Sequence, residues 1–200
     1  MEYCMNSDDL LRQLDFLYEV DKIKHIVRKT KLFDESRFEN DAEHSWTICL
    51  MAVLFRQYSD TPLQMERVLT MLLIHDIVEV DAGDVFLYAA ERDDVAEKEE
   101  KAAERLFGLL PEAQAKEFLA LWHEFEQRQT PEALFASAFD RLEPLLQNYK
   151  NKGFTWKQHH ITKSMVLKKN APIKDGSAFL GDFYIYLVNE CVKLGYLADD

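Results

Sequence analysis

The sequence predicts an all-α protein, and three observations carry that prediction. Apolar residues recur at intervals of three and four along nearly every segment, the period of a helix with one buried face. Only 6 Gly and 5 Pro interrupt 200 residues, so the turn signals that close β-hairpins are scarce. At 48% hydrophobic and 30% charged residues, the composition is that of an ordinary globular chain with enough apolar side chains for a core. A chain of this length suits one domain. We expect a single helical unit over residues 1–200, with its core at about 10–150 and C-terminal helices at 155–195 packing on it.

Each helix has its own signature. Leu10, Leu14, Leu17, Tyr18 and Ile23 form a first apolar stripe, with Ser7 as its N-cap. Asn40 or Asp41 opens a second helix, whose stripe is Trp46, Leu50, Val53 and Leu54. Thr61-Pro62 reads as an N-cap followed by proline at the first helical position, starting a helix that carries Met65, Val68, Leu69, Leu72 and Leu73 into His75-Asp76. Asp81 to Asp84, with Gly83, is a turn. Helices follow at 93–107, ended by Gly108, then at 111–127, and from the Thr130-Pro131 cap to about 150. Two more cover roughly 162–169 and 177–193, separated by a polar loop at 170–176 that contains Pro172. The ordinary expectation for Phe179, Phe183, Tyr186 and Leu187 is that they pack into the core. The charged run from Glu97 to Lys101 is expected to be a solvated helix face.

With 36 Asp+Glu against 24 Lys+Arg, the net charge is -12 and the pI about 5.0. Such a surface repels a polyanion, which argues against a nucleic-acid polymer as partner and leaves room for a local basic pocket taking one small phosphate. The most apolar stretch, Trp46 to Phe55, is too short to span a bilayer, so no membrane partner is expected. Met1-Glu2-Tyr3-Cys4 has neither a basic nor an apolar leader character, so no secretory signal is expected. Cys4, Cys49 and Cys191 are odd in number and far apart, and read as reduced thiols of a cytoplasmic protein.

The chemistry concentrates on histidine and carboxylate. Of six histidines, His25, His123, His159 and His160 are expected to be structural. His75-Asp76 differs, because two good metal ligands stand side by side at the end of a strongly apolar helix. Burying both without a cation is costly, and either a metal or an arginine ion pair would relieve the cost. Glu79 lies four residues after His75, where a helix would bring it onto the same face. His44 begins another apolar helix, and Asp140 sits inside a third. Two imidazoles and two carboxylates form a mixed nitrogen and oxygen shell suited to Mn, Co, Fe, Ni, Zn or Mg. Such a shell leaves positions open for water and a substrate oxygen. Only His123 lies between Asp76 and Asp140, which favours one divalent metal ion over two.

His44, His75-Asp76 and Asp140 together resemble the H…HD…D signature of the HD-domain metal-dependent phosphohydrolases. More narrowly, Glu43-His44-Ser45 and the block from His75 to Asp84, which reads HD-x-x-E-x-x-x-GD, are similar to small HD proteins related to the bacterial 5'-deoxynucleotidase. Leu121 to Glu126 is also similar to a stretch after the HD helix of those relatives, and the resemblance covers roughly residues 10–150. It implies a helical HD fold with His44, His75, Asp76 and Asp140 as metal ligands. It further implies that Glu79 and Asp84 serve the attacking water and the leaving oxygen, and that Arg28 contacts the substrate phosphate. Relatives carry an aromatic residue soon after that arginine, whereas this chain has Lys29-Thr30-Lys31.

The function so implied is hydrolysis of the phosphomonoester of (deoxy)nucleoside 5'-monophosphates, with a small phosphorylated substrate as partner. Small HD relatives also pair, which implies a homodimer. The alternatives are a non-catalytic nucleotide- or metal-binding regulator, or a hydrolase of another small phosphate ester. Intact Glu79 and Asp84 favour an enzyme, since a regulator has no chemical need of them. A dinucleotide phosphodiesterase fits less well, for want of a second metal shell and an extended basic groove.

Overall fold

In the computed structural model, residues 7–89 and 93–200 are described, and they form a helical protein with one small β-hairpin. The elements are α1 (Ser7–Val20), β1 (Val27–Lys31), β2 (Phe38–Asn40), α2 (Asp41–Phe55), α3 (Met65–Ile74), α4 (Glu79–Ala82), α5 (Asp93–Phe107), α6 (Glu112–Gln127), α7 (Pro131–Lys150), α8 (Phe154–Gln158), α9 (Lys163–Asn170), α10 (Ile173–Gly176) and α11 (Ala178–Lys193). Helix α7 is the axis. Helices α2, α3, α6, α10 and α11 all pack against it, and it buries Ala133, Phe135, Ala136, Phe139, Leu142 and Leu145 among them. The residues at 1–4, on which the leader reading and Cys4 rest, lie outside the described residues. Cys49 and Cys191 are free thiols. Among the described residues no helix is long and apolar enough to cross a membrane.

Several helix ends follow the sequence signals closely. Asn40 caps α2 by accepting from the Glu43 amide, while Glu43 reaches back to the Asn40 amide, a reciprocal capping box. Thr130 accepts from the Ala133 amide at 3.2 Å, and Pro131 takes the first position of α7. Ser177 caps α11 in the same way.

The all-α class holds, with one small sheet added to it: β1 and β2 pair antiparallel, with Val27 opposite Asn40 and Lys31 opposite Phe38. The structure corrects other expectations. Thr61-Pro62 does not start α3, which begins at Met65 with Gln64 before it. There the Gln64 amide is satisfied by Glu132 Oε1 at 3.0 Å, so a distant side chain does the capping. The polar loop at 170–176 contains the helical turn α10, pinned by the fully buried Ile173. The stripe of α1 is mostly exposed and only Phe16 is buried, packing on Phe107 and Phe118.

Helix α2 is turned opposite to expectation. Trp46, Leu50, Val53 and Leu54 face outward, with Trp46 66% exposed, while Asp41, His44, Ser45, Ile48, Met51 and Ala52 face the core. The cause is the polar end of the inward face, whose partners lie on other elements inside the protein. In α11, likewise, Phe179, Phe183 and Tyr186 point outward, and Leu187 alone of the predicted stripe is buried. The inward row is Leu180, Gly181, Tyr184, Leu187, Val188 and Cys191.

The corner between α7 and α8 fastens the hairpin. Asn151 Nδ2 donates to the Lys31 carbonyl at 2.9 Å, and Thr155 Oγ1 donates to the Lys29 carbonyl at 2.8 Å. Gly153 makes this corner at φ +74, where a Cβ would stand 1.7 Å from the Tyr196 carbonyl oxygen. For alanine, left-handed backbone alone costs roughly 1–2 kcal/mol, and the clash adds to it. Gly153→Ala is therefore expected to lower the thermal midpoint by several degrees, at about 2–4 °C per kcal/mol for a chain of this size. A melting curve that overlays the wild type would refute the tight approach.

Candidate metal centre

The block from His75 onward is not one helix face. Helix α3 ends at Ile74, and His75–Val78 winds as a tighter 3-10 turn before α4. Two contacts from α6 fix this turn: Trp122 Nε1 donates to the His75 carbonyl at 3.2 Å, and the Phe125 ring lies 5.0 Å from the imidazole. The similarity noted at Leu121 to Glu126 thus has a physical basis, since that stretch holds the turn in place.

Three elements bring four predicted residues together. His44 Nε2, from α2, lies 3.3 Å from Asp140 Oδ1, from α7, and 4.0 Å from Asp76 Oδ2. His75 Nε2 lies 3.1 Å from Asp76 Oδ1 and 3.9 Å from Asp140 Oδ1. His44 is fully buried and His75 nearly so. His75 Nδ1 donates to the Leu72 carbonyl at 2.9 Å, which turns the lone pair of Nε2 toward the carboxylates. That Nε2 is buried and has no hydrogen-bond partner among the described residues. A buried nitrogen lone pair beside two carboxylates is what a cation would satisfy, so the donor set fits a divalent metal.

Glu79 and Asp84 form a second group with Asp41, their carboxylate oxygens lying within 4.8 Å of one another. Gly83, at φ +77, closes α4 and turns Asp84 back toward the cavity. Arg28, on β1, stands between the two groups: Nη1 donates to Asp41 Oδ1 at 3.1 Å and to Asp76 Oδ2 at 2.9 Å. The arginine ion pair and the candidate ligands, alternatives in the sequence, occur together. A third group, Glu39, His44 and Glu143, is buried behind the imidazole.

The electrostatics follow from this crowding. Burial opposes the charge on Arg28, but Asp76 foremost, with Glu79, Asp140 and Asp41, holds the guanidinium well above its ordinary pKa. Burial and Arg28 disfavour a protonated His44, yet Asp140 and Glu143 outweigh them and push it up to about 10. Burial would raise Asp76, but His75 and Arg28 bring it down to about 2. Glu79 is pushed well up by burial, then by Asp76 and Asp41. Asp84 is raised by burial as well.

All of Arg28, His75, Asp76, Glu79, Asp84 and Asp140 line one cavity of about 410 Å³, within the range of roughly 300–1,000 Å³ usual for small-ligand sites. Its far wall brings in residues that the sequence did not single out. Among the described residues Arg128 and Arg141 each have a buried Nε without a hydrogen-bond partner, that of Arg141 lying 3.6 Å from Asp140 Oδ2, and Phe86, Tyr88 and Trp156 supply aromatic surface. Asp41 and Glu143 were legible in principle, since Asp41 precedes His44 by three residues and Glu143 follows Asp140 by three, each on the same helix face. The four other histidines stay outside the cavity lining: His123 pairs with Glu100 at 2.9 Å and His159 packs on Phe86. Glu99 corrects the reading of its run as solvated, because it is half-buried and lines the cavity.

A family model described as HD domain matches residues 20–179. The 5'-deoxynucleotidase HDDC2 of Homo sapiens is 30% identical over 140 residues, covering 67% of this chain and 65% of that protein. The protein of the same name from Xenopus laevis is 32% identical over 140 residues, with 67% and 66% covered. The chain thus spans slightly under two thirds of the length of these relatives. A crystal structure described as a predicted metal-dependent phosphohydrolase from Magnetospirillum magnetotacticum MS-1 is 52% identical, with a TM-score of 0.93 over 97% of this chain and 98% of that one. The PH0347 protein of Pyrococcus horikoshii OT3, 20% identical at a TM-score of 0.60, shares the fold.

Burial first, then Glu126 and Asp76, raise Glu99 to about 7 from an ordinary 4.5. The folded state therefore binds this proton more tightly than the unfolded chain does. Its stabilising contribution is complete below the ordinary carboxylate range and is lost as pH rises through about 7. In the metal-free protein, Glu99→Gln is expected to raise the thermal midpoint near pH ~8 and to change it little near pH ~4. A midpoint difference independent of pH would refute the shift.

Proposed function

The chain belongs to the HD-domain family, and on that premise we propose that it is a metal-dependent phosphohydrolase releasing phosphate from (deoxy)nucleoside 5'-monophosphates. The observation that carries this reading is the convergence of His44, His75, Asp76 and Asp140, the last three lining the cavity and His44 buried behind them, with His75 Nε2 making no hydrogen bond among the described residues. These four residues would hold one divalent metal ion. When bound, the metal supplies Lewis acidity toward a phosphoryl oxygen and a lowered pKa for water.

The chain's own residues account for the rest. Arg28 orients Asp76 through its 2.9 Å contact and lines the cavity where a phosphate would sit. Its planar fork suits a pair of phosphate oxygens. Glu79 and Asp84 carry buried oxygens, Oε2 and Oδ2, that have no hydrogen-bond partner among the described residues. One is available to take a proton from the attacking water and the other to give one to the departing ribose oxygen. Arg128, Arg141 and the aromatic residues Phe86, Tyr88 and Trp156 line the rest of a cavity with room for a nucleoside. Trp46 and Phe33, candidates to replace the missing aromatic, are exposed and do not line the cavity, whereas Phe86, Tyr88 and Trp156 do.

The decisive experiment is a phosphate-release screen over mononucleotides with Mn, Co and Mg. Release from monophosphates and little from triphosphates or oligonucleotides is expected, and no release from any mononucleotide would favour the regulator or another phosphate ester. Asp76→Ala is expected to lose the metal, read by elemental analysis of the purified variant. Glu79→Gln is expected to keep the metal while kcat falls by roughly 10²–10⁴, the usual worth of a proton-transfer group. An unchanged kcat would reduce Glu79 to a supporting role.

A further inference from the structure

Glu143 lies behind His44 and does not line the cavity. It is completely buried, and its Oε2 is 3.2 Å from His44 Nδ1. Because it follows Asp140 by one helical turn, the same face of α7 offers Asp140 to Nε2, at 3.3 Å, and Glu143 to Nδ1. The imidazole is thus gripped at both nitrogens. Glu39 adds a second buried carboxylate 3.8 Å from Nδ1. Glu143 Oε1 has no hydrogen-bond partner among the described residues. A carboxylate this deep is costly to bury, and an amide of the same shape would avoid the cost. What an amide cannot reproduce is an acceptor-only, negatively charged partner for the ring N–H.

We propose that Glu143 is a positioning residue for the metal centre. It accepts the Nδ1–H of His44, fixes the tautomer whose Nε2 lone pair points at Asp76 and Asp140, and makes that nitrogen a stronger donor to a divalent cation. The inference rests on the reading of His44 as a metal ligand. Glutamine at this position can instead donate an N–H to Nδ1, which stabilises the wrong tautomer.

The test is direct titration of metal-free protein with Mn²⁺ or Zn²⁺, followed by calorimetry. Glu143→Gln is expected to weaken binding by about 10–100-fold, the usual effect of removing such a partner, and Glu143→Asp is expected to recover part of it. A variant affinity within about twofold of the wild type, well inside the effect anticipated for such partners, would overturn the proposal. Should Glu143→Gln fail to fold, nitrogen NMR of the wild type loaded with Zn²⁺ decides. His44 is expected to carry its proton on Nδ1 and coordinate through Nε2, and coordination through Nδ1 would overturn the assignment. If the wild type binds neither metal, His44 is not a ligand and both readings fall. Binding by the wild type with equal binding by the variant removes the Glu143 inference alone.

Discussion

Seven carboxylates, Glu39, Asp41, Asp76, Glu79, Asp84, Asp140 and Glu143, crowd buried or half-buried around Arg28, His44 and His75. This excess of negative charge in a low-dielectric interior is the constraint on which the rest of the structure depends. Each carboxylate must share a proton, meet a cation or be lifted out of its ordinary titration range. All three responses occur. Arg28 meets Asp41 and Asp76 and Asp76 stays ionised, Asp41 and Glu79 share a hydrogen bond, and Glu79 is pushed strongly toward its protonated form. A divalent cation at the two imidazoles answers the same imbalance, which links the electrostatics of the core to the proposed chemistry.

The architecture serves that cluster. Helix α2 gives up the burial of Trp46, Leu50, Val53 and Leu54 so that Asp41 and His44 can face inward. The hairpin exists where it does because Arg28 and Glu39 must reach the cluster from adjacent strands, and Asn151 and Thr155 hold β1 there. Trp122 and Phe125 brace the 3-10 turn at His75. The apolar core is continuous around these polar groups.

The helices and the four candidate ligands were legible in the sequence because their signals are local. The Asn40 and Thr130 caps, Gly108 and the HD block each declare themselves within a few residues. What the sequence concealed depends on distance. Glu132 caps α3 from 68 residues away, so Thr61-Pro62 was a false start. In α2 both faces are apolar enough to seem buried, and only the partners of His44 on α7 decide which one is. The hairpin lacks the short glycine turn that would announce it, and its register is set by contacts with α7 and α8. Arg128 and Arg141 look like ordinary helix-surface arginines until the fold turns them toward a cavity.

His44 meets its α7 partners across 96 and 99 residues of chain. Contacts of such separation form only after most of the loop entropy between them has been overcome, which places them late in folding. No fragment ending at the turn after α3 can own the cluster, because one of the four candidate ligands, Asp140, arrives from α7. Affinity at the centre is consequently a property of the whole folded chain. An ion or product held there at a hundredfold above its dissociation constant adds about 2.7 kcal/mol to global stability. That gain extends to every amide whose exchange requires α2 and α7 to part, including those in parts of the protein far from the cluster.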